Sequence, residues 1–245
     1  MKPQTSRTTT EQPAAPEEPR PEAQAETISV VVARSVEQMM QAFAIRAAVF
    51  LSEQHCPYAE EFDGNDFTAT QFLGLVGGEP ASTCRMRYFA EFAKLERVAV
   101  RREFRKSGVA AKMIHYSLEL CRQKGYRRIY GHAQARLVPF WQKFGFEPIN
   151  DEKFIFSDHE YIEIECQLEP HPDPIEVGKN PMVIIRPEGD WDQPGVLERS
   201  SNRPATNPTG ENPTGESPPG EHPPGEHPPD EKWPEELKKR MKHLG

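Results

Sequence analysis

Most apolar residues that recur at strand or helix spacing lie between about residues 28 and 168. The run Ile28 to Ala33 is short and continuously apolar, which predicts a buried strand. Ser35-Val36-Glu37-Gln38 fits a capping box, and apolar residues then recur at helical spacing to about Leu51, so a helix is expected there. The polar stretch Ser52 to Thr70 follows without periodicity, and loops of this length are often functional.

The rest of this region continues the alternation of strands and helices. Two strands around the turn at residues 77–80 predict a hairpin, and the apolar spacing after Gly108 predicts a helix that ends near Gly125. The predicted strands are Gln71–Val76, Ala81–Phe89, Leu95–Val100, Arg128–His132, Phe154–Phe156 and Tyr161–Leu168, and a further short helix is predicted over Pro139–Phe144.

The ends of the chain have a different composition. The chain has 25 prolines, and they are concentrated near the N-terminus and after residue 170. Segments that are rich in proline and poor in apolar residues do not bury enough surface to fold. The predicted division is therefore a disordered tail over residues 1–27, one domain over 28–170, a linker over 171–206 with a candidate docking strand at Met182–Ile185, a disordered Pro-rich pentad repeat over 207–231, and a short amphipathic helix over 232–245.

Charge and cysteine content argue against several classes of function. The formal net charge of -8 argues against general nucleic-acid binding. The four cysteines are widely spaced, with no Cys-x-x-Cys and no Cys/His pair at zinc spacing, so no metal is expected. The first residues contain no apolar leader segment, and no apolar run is long enough to span a bilayer. A cytoplasmic protein without membrane contact is therefore expected.

The stretch Leu95 to Lys112 predicts a strand, a basic loop and the start of a helix. Gly108 and Ala110 are small, so a ligand can approach the backbone of the loop closely. The first N–H groups of a helix have no partner inside it and lie at the positive end of its dipole, which suits a phosphate. The same pattern also fits an ordinary surface loop with a basic cluster, and the loop alone leaves both interpretations open.

Several segments in the same order resemble the GNAT superfamily of N-acetyltransferases. LERVAV resembles its fourth strand, RKSGVA its Arg/Gln-x-x-Gly-x-Gly/Ala loop, and AQARLVPFWQKFGFEP the end of its fifth strand and its last helix. The segment Ile45–Asp66 and the pair Ala133-Gln134 are similar to the ElaA-type branch. The resemblance implies an α/β (α+β) fold, in which a mixed, mostly antiparallel central sheet is splayed between strands 4 and 5 and flanked by about four helices.

Acetyl-CoA is the co-substrate that the resemblance implies. Its pantetheine arm is expected to pair with strand 4 as an added strand would, and its pyrophosphate is expected on the amides of the loop. The residues expected to bind it are Val98, Ala99, Val100, Arg105, Lys106, Ser107, Gly108, Val109, Ala110 and Gln134.

Transfer of an acetyl group to an amine needs a base for the amine and an acid for the departing thiolate. Glu96 is the candidate base, because it shares parity with Val98 and lies upstream of it; the competing role is a surface ion pair. Asp63 is a further catalytic candidate. Trp141 stands where the family often has tyrosine, and an indole cannot act as an acid. Trp141 is therefore expected to line the thiol pocket, with water or Tyr161 as the acid.

A primary amine of a small molecule is the expected acceptor. The candidate substrate-binding residues are Arg46, Glu61, Asp66 and Arg85, and the acids of the 52–70 loop favour a cationic amine. A homodimer and an unknown protein bound by the C-terminal tail are further candidate assemblies. Two other functions stay open. One is an acyltransferase that resembles the acyl-homoserine-lactone synthases, and the other is a non-catalytic adaptor that binds CoA.

Overall fold

The computed structural model describes residues 27–156 and 158–200, and its centre is one seven-stranded sheet in the order β1-β2-β3-β4-β5-β7-β6. The strands are β1 (Ile28–Val32), β2 (Thr70–Val76), β3 (Glu79–Tyr88), β4 (Ala93–Val100), β5 (Arg128–Gln134), β6 (Phe146–Phe156) and β7 (His159–Gln167). The helices are α1 (Val36–Arg46), α2 (Tyr58–Glu61), α3 (Val109–Gln123), α4 (Val138–Trp141), α5 (Pro181–Ile184) and α6 (Val196–Ser200).

Only β4 and β5 run parallel, and they pair over a short distance. Their last pair is Leu95 with Gly131, although β4 continues to Val100 and β5 continues to Gln134. Every other neighbouring pair in the sheet is antiparallel. The two strands therefore separate beyond Leu95, and the expected splayed, mostly antiparallel sheet is confirmed.

A β-bulge interrupts β4 just beyond this point. Thr83 pairs with Ala99 and Arg85 pairs with Glu96, so Arg97 and Val98 together oppose one residue of β3. Arg97 adopts a positive φ of 55°, which is uncommon for a residue with a side chain. Because the extra residue reverses the alternation of side chains, the expectation that Glu96 shares a face with Val98 is not met.

The two faces of the sheet carry separate apolar clusters. Helix α3 covers one face, where Met113 and Ile114 are fully buried among strand residues that include Leu95. Helix α1 covers the other face, and its cluster includes Ala99 of β4. Helix α1 begins with the predicted capping box at Ser35. It continues into a π-helical turn over Ala47–Glu53, a form that is frequent at functional sites.

The segment after β7 packs along α3. Glu188 accepts a hydrogen bond from the Thr70 hydroxyl at 2.9 Å and forms an ion pair with Lys124. Trp191 packs against the core cluster beneath α3. The apolar patch at residues 182–185 was expected to form a strand, but it lies in the helical turn α5 and the residue after it, because Asn180 caps the turn and Pro181 opens it.

Helix α6 belongs to a second unit that begins at Val196. The expectations for the N-terminal tail, the pentad repeat and the terminal amphipathic helix fall outside the described residues. Within residues 27–156 and 158–200, no helix has the length and apolar character needed to cross a bilayer.

Candidate active site

A cavity of about 510 Å³ lies where β4 and β5 separate. Its walls come from the π-helical turn and α2, from the separating ends of β4 and β5, from α4, and from the tip of the β6–β7 hairpin. Seven of the predicted site residues line it: Glu61, Asp63, Glu96, Val98, Gln134, Trp141 and Tyr161. The other predicted residues of β4 (Ala99, Val100), the loop at residues 105–110, Arg46, Asp66 and Arg85 do not belong to its lining.

The basic loop turns sharply into the start of α3. Gly108 is the N-cap of α3 at a φ of 91°, and Lys106 has a φ of 82°. The side chain of Val109 is fully buried, so this residue anchors the helix and offers a ligand only its backbone. The Val109 amide donates to the Ser107 hydroxyl at 3.3 Å. Gly108 and Ser107 are exposed, so a ligand can reach the loop from solvent.

The two basic side chains of this loop differ in their surroundings. Arg105 forms an ion pair with Glu53 at 2.6 Å and donates to the Val100 carbonyl oxygen at 3.2 Å. Lys106 is exposed. A phosphate on this loop would therefore compete with Glu53 for Arg105, whereas Lys106 can turn towards it directly.

Arg46 and Arg85 lie in one buried network of ion pairs. Both side chains have no exposed surface, and Asp66 joins them, at 2.5 Å from Arg46 and 3.0 Å from Arg85. Arg46 also pairs with Glu61, and Arg85 also pairs with Asp63 at 2.8 Å. These contacts attach the loop at residues 52–70 to the sheet and occupy the guanidinium groups, so neither arginine faces the cavity.

Glu96 belongs to the same network and faces several cations. Its carboxylate lies 2.6 Å from Arg85 and 2.9 Å from Lys94. Burial by itself raises the pKa of this carboxyl group, but the hydrogen bonds and charges of Lys94 and Arg85 outweigh that effect and lower the pKa below its usual value. A carboxylate held in this way is a weak base.

The β4 bulge is held by the neighbouring loop. Arg97 donates to the Glu60 carbonyl oxygen at 2.7 Å, and it pairs with Glu61 at 3.0 Å and with Asp63 at 3.2 Å. Burial tends to raise the pKa of Asp63, but hydrogen bonds from Arg85 and from the Asn65 amide lower it strongly. Asp63 is therefore a firmly ionised partner of two arginines rather than a group suited to exchanging protons near neutral pH.

His132 lies in the cavity wall and was not among the predicted site residues. The Tyr130 hydroxyl lies 2.7 Å from Nε2 of His132 and donates a hydrogen bond to the Glu163 carboxylate. Because the phenol has one proton and donates it to Glu163, Nε2 of His132 is the donor to Tyr130, which leaves Nδ1 with a lone pair. Desolvation, and then the charge of Lys94, lower the pKa of His132.

The strand boundary explains why His132 was missed. The apolar pattern ends the predicted strand at His132, whereas β5 continues to Gln134. Tyr130, His132 and Gln134 alternate with residues of the core cluster and share one face. An exposed histidine on the strand that precedes the Ala-Gln pair is the signal that could have identified it.

Trp141 and Gln134 close the inner part of the cavity. The indole of Trp141 is 9% exposed and makes ring contacts with Phe140, Phe144 and Phe146. Gln134 is 8% exposed, and its Nε2 donates to the Tyr161 hydroxyl at 3.4 Å. Its Oε1 is buried and has no hydrogen-bond partner within the described residues. A buried amide oxygen in this state is suited to an N–H group of a ligand.

The described residues offer no evident metal centre. Within residues 27–156 and 158–200, no group of three or more histidine, cysteine, aspartate or glutamate side chains is arranged to hold a metal ion. The arrangement suits proton transfer and electrostatic binding of a polar ligand.

Similarity to known sequences and structures identifies the protein family of this chain. The chain matches the model of the Acetyltransferase (GNAT) family over residues 37–146. ElaA of Escherichia coli strain K12 is 32% identical over 123 residues, which are 48% of this chain and 80% of ElaA. The uncharacterized protein YyaT of Bacillus subtilis strain 168 is 31% identical over 118 residues, which are 47% of this chain and 79% of that protein.

Solved structures agree with these matches. The crystal structure of Escherichia coli ElaA superimposes with a TM-score of 0.52 at 29% identity, covering 58% of this chain and 99% of ElaA. An acyl-CoA N-acyltransferase from Pseudomonas aeruginosa has the same fold, with a TM-score of 0.52 at 19% identity over 58% of this chain and 99% of that one. From the family match, the relatives and the splayed sheet together, the chain belongs to the GNAT family of acetyltransferases.

Proposed function

We propose that the protein transfers an acetyl group from acetyl-CoA to a primary amine of a small molecule bound in the cavity. The observation that carries this proposal is the separation of β4 from β5 beyond Leu95, directly beside the cavity. The unpaired edge of β4 leads from the cavity towards Gly108 at the start of α3. An extended pantetheine arm can pair with such an edge while its pyrophosphate binds the helix N-terminus.

The cavity also contains a group suited to hold that arm. Pantetheine carries two amide N–H groups, and Oε1 of Gln134 is a buried acceptor with no partner among residues 27–156 and 158–200. In this proposal Val98 and Gln134 border the arm, and the loop at residues 107–110 binds the pyrophosphate, with the amides of Gly108 and Ala110 as donors. Lys106 adds charge from the exposed side of the loop.

His132 is the group that we assign to accept the proton of the amine. Nδ1 of its imidazole carries the lone pair, and its lowered pKa keeps the ring neutral near pH 7. Glu96, the base expected from the sequence, is held by Arg85 and Lys94. Tyr161 lines the same cavity and is the assigned donor to the departing thiolate, because the Trp141 indole cannot give up a proton.

The burial of Arg85 supports acetyl transfer over the acyl-homoserine-lactone-synthase alternative. In that alternative, the resemblance implies that the loop acids and an arginine such as Arg85 would bind S-adenosylmethionine. Arg85 has no exposed side-chain surface, and Asp63, Asp66 and Glu96 surround its guanidinium. A ligand would have to displace three ion pairs to reach it.

A pair of glycine substitutions tests the binding of acetyl-CoA. Gly108 and Gly78 have φ values of 91° and 88°, so glutamate strains the backbone equally at either position. An added Cβ meets only Ile28, at 3.8 Å, in the first case and nothing within 4 Å in the second. In calorimetric titration with acetyl-CoA, Gly108→Glu should abolish binding, because its carboxylate repels the pyrophosphate, and Gly78→Glu should bind like the native protein.

Turnover of a panel of primary amines, measured by release of free thiol from acetyl-CoA, completes this test. Unchanged affinity in Gly108→Glu would remove the assignment of the loop as the pyrophosphate site. Tight binding of acetyl-CoA without thiol release for any amine would favour a CoA-binding adaptor instead.

A further inference from the structure

The charged side chains that line the cavity are balanced in number, with four cations and four carboxylates, but the cations are not equally neutralised. One connected network holds five cationic side chains, Arg46, Arg85, Arg87, Lys94 and Arg97, but only four carboxylates, Glu61, Asp63, Asp66 and Glu96. The cavity lining adds one charge of each sign, Glu60 and Arg136.

Pairing of the loop acids with arginines removes the reason to expect a purely cationic acceptor. The loop at residues 52–70 is acidic in sequence, but Asp66 and Glu61 are buried against Arg46, and Asp63 is bound by Arg85 and Arg97. Their charge is already neutralised inside the protein. A simple alkylammonium ion therefore gains little attraction from this cavity.

Arg87 is the cation of the network that is least neutralised. Within residues 27–156 and 158–200 its single ion pair is a 3.9 Å contact with Oε1 of Glu96, which is too long for a hydrogen bond. Lys94 is the cross-strand partner of Arg87 and binds the same oxygen at 2.9 Å. The Arg87 side chain keeps 26% of its surface exposed and lines the cavity. Its guanidinium therefore has donors to offer a ligand.

Arg136 is another arginine of the cavity lining. It follows β5 on a short 3-10 turn, is exposed and lines the cavity. In the described part of the chain, no ion pair or side-chain hydrogen bond engages its guanidinium. Two arginines with unmet donors thus line the same cavity as His132 and Gln134.

We propose that the acceptor carries an anionic group, a carboxylate or a phosphate, in addition to its amine, and that Arg87 and Arg136 bind this group. This inference rests on the proposed function, because it names the acceptor class of the same transfer. Guanidinium groups bind carboxylates and phosphates through paired hydrogen bonds. With the anion fixed between the arginines, the amine of the acceptor faces His132.

A matched ligand series tests this proposal directly. Linear ω-amino carboxylates with three to five methylene groups are compared with their carboxamides and with ω-amino phosphonates. Affinity is measured by calorimetry on the full chain in the presence of CoA, and transfer is measured by thiol release from acetyl-CoA. At least one of the anionic ligands should bind at least tenfold more tightly than its carboxamide and show a correspondingly higher kcat/KM.

Three arginine substitutions test whether Arg87 and Arg136 cause the preference for anionic ligands over carboxamides. Arg87→Gln and Arg136→Gln should each remove most of this preference. Arg127→Gln should retain it, because Arg127 is an exposed arginine that does not line the cavity.

The outcomes separate this inference from the proposed function. Equal affinity for anionic and amide ligands, no binding of either, or a preference that survives both cavity substitutions would overturn the anion site. Equal turnover of both ligand classes would also overturn it while leaving acetyl transfer intact. Preferential binding of the anionic ligands without any thiol release would leave the anion site standing and contradict acetyl transfer.

Discussion

Nη2 of Arg85 lies 2.6 Å from Oε2 of Glu96, and both side chains are almost fully buried. This contact limits the proton-transfer chemistry of the Glu96 carboxylate, which lies where β4 and β5 separate. A carboxylate that neutralises a buried arginine cannot take up a proton without leaving that arginine unpaired, which is costly. Glu96 is thus a structural partner, and His132 on the facing strand is the group proposed to accept the proton.

The first prediction compares the two candidate bases by substitution. His132→Asn should lower kcat by about 100-fold or more, the usual contribution of a general base. Glu96→Gln should lower kcat much less, because it changes the surroundings of the amine and not the proton acceptor. Both variants are compared by steady-state thiol release, with thermal unfolding as a check of folding. If Glu96→Gln instead lost more kcat than His132→Asn, the base would be the Glu96 carboxylate.

The second prediction concerns the dependence of activity on pH. His132 acts as a base only when neutral, so kcat/KM should fall as pH drops through its pKa, which lies below the usual 6.5. Glu163 and Glu96 raise this pKa, whereas desolvation and Lys94 lower it more. Lys94→Met should therefore raise the pKa and move the acid limb of the profile to higher pH.

Lys143→Met is the control for this profile, because Lys143 is exposed and does not line the cavity. It should leave the acid limb where it is in the native protein. If Lys94→Met and the native protein lose kcat/KM at the same acidic pH, a group other than His132 titrates there.

Some features of the site could be predicted from the sequence because they depend on local chemistry. Gly108 opens α3 at a positive φ, as a glycine before a run of helix-forming residues indicates. Ser35 and Gln38 form the capping box that their spacing predicts. In both cases the residues that determine the structure lie within one helical turn of each other.

Other features depend on contacts between distant parts of the chain. No glycine marks the bulge at Arg97, whose positive φ is held by backbone and carboxylate groups of the 52–70 loop. The sequence of the strand therefore does not show that the side chains after Glu96 change faces of the sheet. Likewise, Asp66 neutralises both Arg46 and Arg85 across two elements, and the sequence shows only that charged residues of both signs are present.

The third prediction measures the buried network as a source of stability. Arg46→Met should lower the free energy of unfolding by about 3–5 kcal/mol, because it leaves Glu61 and Asp66 buried beside each other with one cation fewer. Arg34→Met is the control. Arg34 pairs with Asp190 at 2.5 Å on the surface, and loss of such a pair costs about 0–1 kcal/mol. Urea unfolding of both variants gives the comparison, and equal losses would contradict the burial argument.

The fourth prediction tests whether the segment after β7 packs on the domain as described. A Cβ at Gly189 would lie 2.9 Å from Val32 and 3.1 Å from the Tyr116 hydroxyl, whereas a Cβ at Gly178 would meet nothing within 4 Å. Both glycines have positive φ values, of 88° and 99°, so alanine costs about 1–2 kcal/mol of backbone strain at either position. The crowding at Gly189 adds a further loss of about 1–3 kcal/mol.

Gly189→Ala should therefore unfold at lower urea than Gly178→Ala, and the difference between them isolates the contact with β1 and α3 from the strain. Neither substitution touches the cavity, so kcat/KM should match the native protein in both. If the two variants are equally stable, the segment does not rest on Val32 and Tyr116. If Gly189→Ala instead lowers kcat/KM at native stability, the segment influences the site through α3, whose first residues form the proposed pyrophosphate turn.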